Sequence, residues 1–343
     1  MIDVSILGAT GIVGQRFVQL LNNHPQFRVV ALFASSKRKG EKYKDTVNWR
    51  IEGDIPESAK NIKLKALDDE VPTRVVFSAL PSQIAFDIED KLSKKGHFVF
   101  SNASSHRYDA FVPIIVPEVN PTHFVATKYQ NRKGFIITNP NCSTAGLVIP
   151  LKAIKDQFGI EKVLVVTMQA ISGAGFPGVP ALSIYDNLIP HIEKEEEKLQ
   201  LETRKILGNF TDKFISADFD IEARCNRIAV RDGHTEVVFI KTKEKATIQQ
   251  IKDALAHFTA LPQKYNLHTA PKNPIILKEE VNRPQPLLDR NNGKGMSVTV
   301  GNIKQSKMFT VTLTLTFHNT IRGAAGGSIL NAEFLYREGN LNV

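Results

Sequence analysis

Cysteine is scarce in this chain: 343 residues carry two, Cys142 and Cys225. That excludes the disulfide framework that staples small secreted domains, and a chain this long can bury a large core without one. Two free thiols in a reducing compartment are either inert packing or chemistry. No run approaches the ~18 apolar residues that a membrane helix needs, so no membrane association is expected. The start, Met1-Ile2-Asp3-Val4, lacks a basic n-region ahead of a cleavable apolar stretch, so no signal peptide is expected and the expected location is the cytoplasm. No metal-ligand cluster of His, Cys and acidic residues is visible, so no metal is expected. Internal repeats and low-complexity linkers are missing too. Acidic residues are outnumbered, 35 against 44 basic ones, for a net charge of +9. The Lys and Arg are scattered, with no basic stripe interleaved with aromatics, which argues against nucleic acid. The surplus reads as a Lys-rich solvated surface, or as attraction for anions such as a nucleotide cofactor and phosphate.

What is present is an ordinary globular composition, 42% hydrophobic and 23% charged, at a length that suggests two domains. Residues 4–7 read as a buried strand, and residues 15–23 as a helix with Phe17, Leu20 and Leu21 on one face. Further strands are expected at 29–34, 75–77, 98–100 and 135–137, with a helix over 83–95. This β-α-β alternation predicts a Rossmann-type, doubly wound parallel sheet with helices on both faces. The pattern changes near residue 160. A long apolar strand is expected over 163–171, and strict alternation marks 235–241 and 310–317, giving a second α+β domain on a mostly antiparallel sheet. A last helix is expected over 324–336. Small residues at its start, Gly323 to Gly327, let it lie close to another backbone or to a ligand.

The loop Leu7-Gly8-Ala9-Thr10-Gly11-Ile12-Val13-Gly14 follows the first strand and opens the first helix. Its G-x-x-G-x-x-G spacing is one residue longer than the usual dinucleotide fingerprint, but the physics is the same. Glycines permit a tight turn and close backbone approach, and a helix N-terminus offers free N–H groups to a pyrophosphate. At the end of the second strand an NAD enzyme usually places an acid for the ribose hydroxyl. Here Ser35, Ser36, Lys37 and Arg38 stand there instead, and hydroxyls with cations suit a 2′-phosphate. NADP is therefore expected over NAD, with an ordinary basic surface loop as the alternative.

Cys142 lies in Thr138-Asn139-Pro140-Asn141-Cys142-Ser143-Thr144, between an apolar strand and an apolar helix. Pro and Asn favour a sharp turn, and Ser143 or Thr144 is expected to cap the helix. Cys142 would then sit at a helix N-terminus, where a thiol pKa falls and the nucleophilic thiolate becomes populated. Cys225 lacks such a setting and reads as structural. A nucleophile needs a base and substrate clamps, and the run Arg224 to His234 offers both. His234 follows the turn signal Asp232-Gly233 and precedes an alternating strand.

Taken together these motifs resemble the aspartate-semialdehyde dehydrogenase family, in its archaeal and fungal branch. The likeness spans nearly the whole chain. It includes the glycine opening, Ser101 to Arg107, Asn139 to Thr144, Gln169 to Gly178, the acidic helix Glu195-Glu196-Glu197-Lys198, Arg227 with His234, and Asn319 to Gly326. The resemblance implies an acyl-thioester on Cys142, acid/base work by His234, and substrate orientation by Gln169. It implies that Arg227 binds the substrate α-carboxylate, Glu195 the ammonium, and Lys198, Arg107 and Asn141 the phosphate. Leu80, Ser82, Ser172, Gly173 and Asn319 would lie near the nicotinamide end.

The resemblance further implies conversion of L-4-aspartyl phosphate to L-aspartate 4-semialdehyde with NADPH, in lysine, methionine and threonine biosynthesis. Inorganic phosphate would be co-substrate in reverse, and the chain a homodimer or homotetramer. The nucleotide domain would be residues 1–141 plus 320–343, and the catalytic and dimerisation domain 142–319. Family members often carry Arg where Ser104 stands and Met where Tyr108 stands; Arg107 keeps its place. Rival readings are N-acetyl-γ-glutamyl-phosphate reductase, whose cysteine motif usually reads Asn-Pro-Gly-Cys-Tyr, and an archaeal malonyl-CoA reductase, which handles no amino acid. A non-catalytic NADP-binding regulator on the same fold would be expected to lose the cysteine or the histidine.

Overall fold

The computed structural model describes residues 1–341. Six parallel strands, β1 (Ile2–Leu7), β2 (Phe27–Ala34), β3 (Lys65–Ala66), β4 (Val75–Ser78), β5 (Phe98–Ser101) and β6 (Phe135–Thr138), form one sheet in the order β3-β2-β1-β4-β5-β6. Successive residues of these strands enter different cores: Ile6 and Phe77 pack in one apolar cluster, Leu7 and Val76 in another. A sheet covered on both faces needs apolar residues at consecutive positions, which is why these strands read as runs. Strand order reverses between β1 and β4, the point where nucleotides bind in such sheets.

The first helix is Ile12–Leu20, three residues earlier than its apolar pattern predicts, and it starts on Gly11. The shift comes from backbone packing: a Cβ on Gly14 would sit 2.2 Å from the Gly8 carbonyl oxygen. Close helix–loop approach, invisible to apolar periodicity, sets that end.

The second sheet joins β7 (Lys162–Gln169), β8 (Leu188–Ile189), β11 (Asp220–Ile228), β12 (His234–Lys241), β13 (Ile275–Lys278), β14 (Val298–Gln305) and β15 (Val311–Phe317) in the order β13-β14-β15-β12-β7-β11-β8. A separate hairpin holds β9 (Asn209–Phe210) and β10 (Phe214–Ile215). Pairing in the large sheet is mixed and mostly antiparallel, with β7–β11 and β13–β14 parallel. Strand β7 ends at Gln169, two residues short of expectation, because Ala170 leads into a 3₁₀ turn at Ile171–Ala174. One face of this sheet packs on the helix Cys142–Phe158.

At the C-terminal end the expected helix start is occupied by a π-helical turn, Ile321–Ala325, and the α-helix runs Gly326–Arg337. The wider turn brings Gly323 against Cys142, where an added Cβ would lie 3.0 Å from the cysteine Cβ. The helix itself returns to the first sheet: Ile329, Leu330 and Phe334 share a core with Val4, Phe17 and Phe77.

Candidate active site

Strand β6 delivers the chain to the turn Asn139-Pro140-Asn141, and Cys142 is the first residue of the helix after it. Asn141 is the cap: its side-chain oxygen accepts the N–H of Ser143 at 2.9 Å and of Thr144 at 3.5 Å. The Ser143 and Thr144 hydroxyls, expected as caps, are buried away from the helix end. An Asn one residue earlier presents its carbonyl to the N2 and N3 positions, which a hydroxyl inside the first turn does not reach.

The Cys142 sulfur lies 3.1 Å from His234 Nε2. The other ring nitrogen, Nδ1, accepts the backbone N–H of Ala170 at 3.0 Å. The carbonyl of the same residue accepts from Arg227 Nη1 at 2.7 Å. Sheet register explains this convergence, because Arg227 on β11 pairs with Gln169 on β7, while β12 begins at His234 and flanks the other side of β7. Gly173 must lack a side chain, since a Cβ there would meet Arg227 Nη1 at 2.7 Å. Gln169 itself is buried and donates to Thr167 Oγ1 at 3.3 Å. Unlike Cys142 and Arg227, it is not part of the cleft wall.

The helix Glu195–Ile206 clamps the cysteine turn from the other side. Glu195 accepts from Asn141 Nδ2 at 2.9 Å, and Glu202 accepts the Asn141 backbone N–H at 2.6 Å. Glu202 also pairs with Arg107 at 2.9 Å, with both side chains buried. Arg107 donates further to the carbonyls of Asn139 and Asn102. Its guanidinium is thus largely committed to holding the turn while still lining the cleft. Lys198 is half-buried, lines the same cleft and has no ion pair among the described residues. At the two positions where the family often differs, Ser104 Oγ lies 3.0 Å from Ser82 Oγ, and the Tyr108 hydroxyl reaches Glu202 at 3.5 Å.

A cleft of about 700 Å³ joins these groups to the glycine loop, lined by Gly11, Ile12, Val13, Leu80, Ser82, Ser172, Gly173 and Asn319. Asn319 bridges its far wall, donating to Ser172 Oγ and accepting the Gly233 N–H, both at 2.8 Å. Gly8 and Gly14 shape the turn and Thr10 accepts from Gln15; these three stand behind the lining. A Cβ on Gly11 would meet only the Gly8 oxygen, at 3.5 Å, so open space lies over this helix start, and no side chain caps it. That suits a pyrophosphate. Ser35 and the 3₁₀ turn Ser36–Arg38 are exposed outside the cleft lining. They adjoin the glycine loop, because the Ala9 N–H donates to Phe33 O at 3.0 Å. No acid ends β2, so hydroxyls and cations are what a ribose phosphate would meet there.

Burial pushes the Cys142 thiol up to about 12, and Glu195 adds to the rise; Arg227 and Arg107 pull the other way. The lowered pKa expected from the helix N-terminus is thus not a property of the bare cleft. The Ser143 N–H, shared with the Asn141 side chain, still pulls the thiol down, but burial outweighs it. Burial drives His234 well below the usual imidazole range, with Arg227 and His318 acting in the same sense. Cys225 is buried in the core of the second sheet, and burial raises its thiol to about 12 as well.

A thiol beside an imidazole, in one cleft with a glycine-turn nucleotide site on a doubly wound sheet, defines a nucleotide-dependent dehydrogenase that works through cysteine. Residues 3–127 match the family described as semialdehyde dehydrogenase, NAD binding domain, and residues 151–322 that described as semialdehyde dehydrogenase, dimerisation domain. The chain is 44% identical to the aspartate-semialdehyde dehydrogenase of Methanothermobacter thermautotrophicus, over 98% of this chain and 99% of that one. The chain belongs to the aspartate-semialdehyde dehydrogenase family. The crystal structure of the Candida albicans enzyme with NADP superposes with a TM-score of 0.91 at 38% identity, covering 99% of this chain and 100% of that one. The Vibrio cholerae enzyme complexed with ASA gives 0.81 at 26%, covering 98% and 99%.

Two contributors escape sequence reasoning. Ala170 acts through its peptide, which no side-chain pattern reveals. Glu202 lies seven residues after Glu195, two helical turns away on one face, and that spacing was the available signal.

Proposed function

We propose that this chain catalyses the reversible, NADP-dependent reductive dephosphorylation of L-4-aspartyl phosphate to L-aspartate 4-semialdehyde, a step supplying lysine, methionine and threonine biosynthesis. The observation that carries the reading is Cys142 Sγ at 3.1 Å from His234 Nε2 in the same cleft as the glycine loop. Cys142 attacks the acyl phosphate, phosphate leaves, and a thioester remains on sulfur. Gly11 to Val13 would hold the dinucleotide, with Ser35 to Arg38 at its 2′-phosphate, and the bound nucleotide would supply the hydride. His234, beside the sulfur, is the general acid/base that supplies and removes the protons. Lys198, Arg107 and Asn141 hold the phosphate, and Gln169 supports the site from behind through the Ala170 peptide. The cytoplasm is the proposed location. The proposed division is residues 1–141 plus 320–343 against 142–319.

Arg227 takes the substrate α-carboxylate and Glu195 its ammonium. A planar fork matches two carboxylate oxygens and one ammonium does not. Arg227→Lys therefore raises KM for the semialdehyde by about tenfold or more, the equivalent of one lost charge-assisted hydrogen bond. An unchanged KM in steady-state assays removes Arg227 from the carboxylate site. Glu195 and Lys198 have no task in a malonyl-CoA reductase, which favours the aspartyl substrate. The deciding assay compares phosphate-dependent NADP reduction with aspartate semialdehyde and N-acetylglutamate semialdehyde, and CoA-dependent reduction with malonate semialdehyde. Faster turnover of either rival overturns the assignment.

The second half of the chain belongs to a family of dimerisation domains, and the chain is a homo-oligomer. We place the contact on the outer face of the second sheet, in a homodimer or a pair of dimers. Leu164, Val166 and Met168 on β7 alternate with core residues and are half-buried, as are Val237 and Phe239 on β12. A flat apolar face of this kind is what a partner covers. Val237→Asp would bury a charge in that contact, so sedimentation equilibrium should show monomer at concentrations where the wild type is assembled. Wild-type mass for this variant excludes the face.

A further inference from the structure

We propose that Tyr43 and Gln15, neither of which lines the cleft, are positioning residues for the nucleotide: each pins one carbonyl of the glycine loop inside the protein, so that the pyrophosphate meets N–H groups and no carbonyl oxygen. This deepens the reading of Gly11 to Val13 as the dinucleotide site and rests on it.

The backbone of the loop can be accounted for group by group. The Gly8 carbonyl accepts the Gly11 N–H at 3.1 Å, and the Gly11 carbonyl accepts the Gln15 N–H at 2.8 Å, the first bond of the helix Ile12–Leu20. The two carbonyls between them have no backbone partner. Side chains take both. The Tyr43 hydroxyl donates to Ala9 O at 2.9 Å, and Gln15 Nε2 donates to Thr10 O at 2.9 Å. Every carbonyl from Gly8 to Gly11 is therefore bonded within the protein. The N–H groups are not. Among the described residues those of Thr10, Ile12 and Val13 meet no acceptor. Consecutive free N–H groups at a helix start are what a phosphate needs.

The two side chains set this pattern because a trans peptide points its C=O and N–H in opposite directions. Holding Ala9 O on the phenol turns the Thr10 N–H away from the core. Holding Thr10 O on Gln15 keeps the Gly11 N–H on Gly8 and closes the turn.

Neither donor can change its sense. Tyr43 is fully buried, and burial raises its phenol above the usual range, so it keeps its proton. The Gln15 amide is oriented by its neighbours. The Arg50 N–H can only donate and meets Oε1 at 2.8 Å, whereas the Thr10 and Asn48 carbonyls can only accept and meet Nε2 at 2.9 and 3.0 Å.

Both supports come from the excursion between β2 and β3. The Tyr43 ring packs in the core with Ala9, Phe17 and Leu64, and its N–H donates to Ile62 O at 2.9 Å. The Arg50 peptide that orients Gln15 is held in turn, its carbonyl accepting from Arg231 Nη2 at 2.7 Å. The phenol and the amide thus rest on fixed backbone on both sides of the loop.

Without the Tyr43 hydroxyl the Ala9 carbonyl is stranded. The Ala9–Thr10 peptide is then free to turn its oxygen out to water, on the side where the phosphates come. Binding selects the unturned loop, so the apparent Kd rises by the inverse of that loop's population. Regaining about one hydrogen bond by turning leaves about one tenth of the molecules competent.

The test is Tyr43→Phe in the full-length enzyme, titrated with NADPH by fluorescence. The expected Kd is about tenfold above that of the parent. Turnover at saturating NADPH and KM for the semialdehyde stay at the parent values, because the loss is confined to the nucleotide. Adenosine 2′-phosphate, which carries no pyrophosphate, should compete equally well on both proteins. Gln15→Met keeps the length of the side chain, drops its donors and should repeat the pattern; if one variant does not fold, the other decides. Parent-level NADPH affinity in the folded variants overturns the proposal. So does an equal loss for NADPH and adenosine 2′-phosphate, which is the mark of a general structural defect. A parent enzyme that does not bind NADPH sinks the nucleotide reading itself, whereas a parent that binds it no better than the variants sinks only the role of Tyr43 and Gln15.

Discussion

Cys142→Ser lowers turnover by at least about 10⁴-fold, in line with removal of the nucleophile from other covalent enzymes, and leaves NADP affinity at the wild-type level. The hydroxyl is the right size for the site, so the turn and its Asn141 cap are undisturbed. What is lost is an ionisable, polarisable sulfur. A serine hydroxyl is a far weaker acid and a less polarisable nucleophile than a thiol, so the same imidazole activates it much less well. Nucleotide binding survives because its contacts come from the glycine loop, the Ser35 to Arg38 turn and the Ser172 wall. Steady-state assays and fluorescence titration with NADPH give the two numbers. Turnover within an order of magnitude of the parent enzyme would refute the covalent role.

Arg322→Leu costs about 3–5 kcal/mol, the penalty for leaving one partner of a buried ion pair uncompensated. Arg322 donates to both Glu118 oxygens, at 3.1 and 2.6 Å, and to Met296 O at 2.7 Å, and both side chains are sealed from solvent. The pair ties the π-turn before the last helix to the segment after β5. Its loss leaves the Glu118 carboxylate desolvated and frees Gly323, which backs Cys142. Urea unfolding should show the loss in midpoint at unchanged slope. The double variant Glu118→Leu with Arg322→Leu should recover most of it, since an apolar pair removes the stranded charge. If the single variant unfolds at the wild-type midpoint, the pair does not contribute.

Legibility along the sequence followed the range of the interactions. Five of the six strands of the first sheet could be read because a strand buried on both faces must be apolar at successive positions, as at Val75 to Phe77, whereas the two-residue edge strand Lys65–Ala66 carries no such run and was not read. In the second sheet β7, β12 and β15 were legible, the last because one covered face demands alternation, as in Val311 to Phe317, while β8, β11, β13 and β14 were not read. Element ends were read less well. Gly14 lies inside the first helix owing to its contact with the Gly8 carbonyl, and the last helix starts late because Gly323 must reach Cys142. Both are backbone contacts with no periodic signature.

The site divides the same way. Cys142 and His234 were visible because a polar turn before an apolar helix, and a turn before an alternating strand, are local patterns. The cap was assigned to Ser143 or Thr144, and Asn141 performs it, because capping is decided by which oxygen reaches the N–H groups. The thiol was expected to be acidified, and burial with Glu195 raises it.

The amino-acid order by itself therefore determined the two sheet classes and their long central strands, the glycine turn and the residue types available for chemistry, since these rest on short-range patterns of size, polarity and backbone freedom. Only the tertiary structure decided the protonation-relevant details. It set Ala170 against the imidazole, closed Glu202 on the cysteine turn and committed Arg107 to Glu202, because hydrogen-bond direction and desolvation depend on partners far away along the chain.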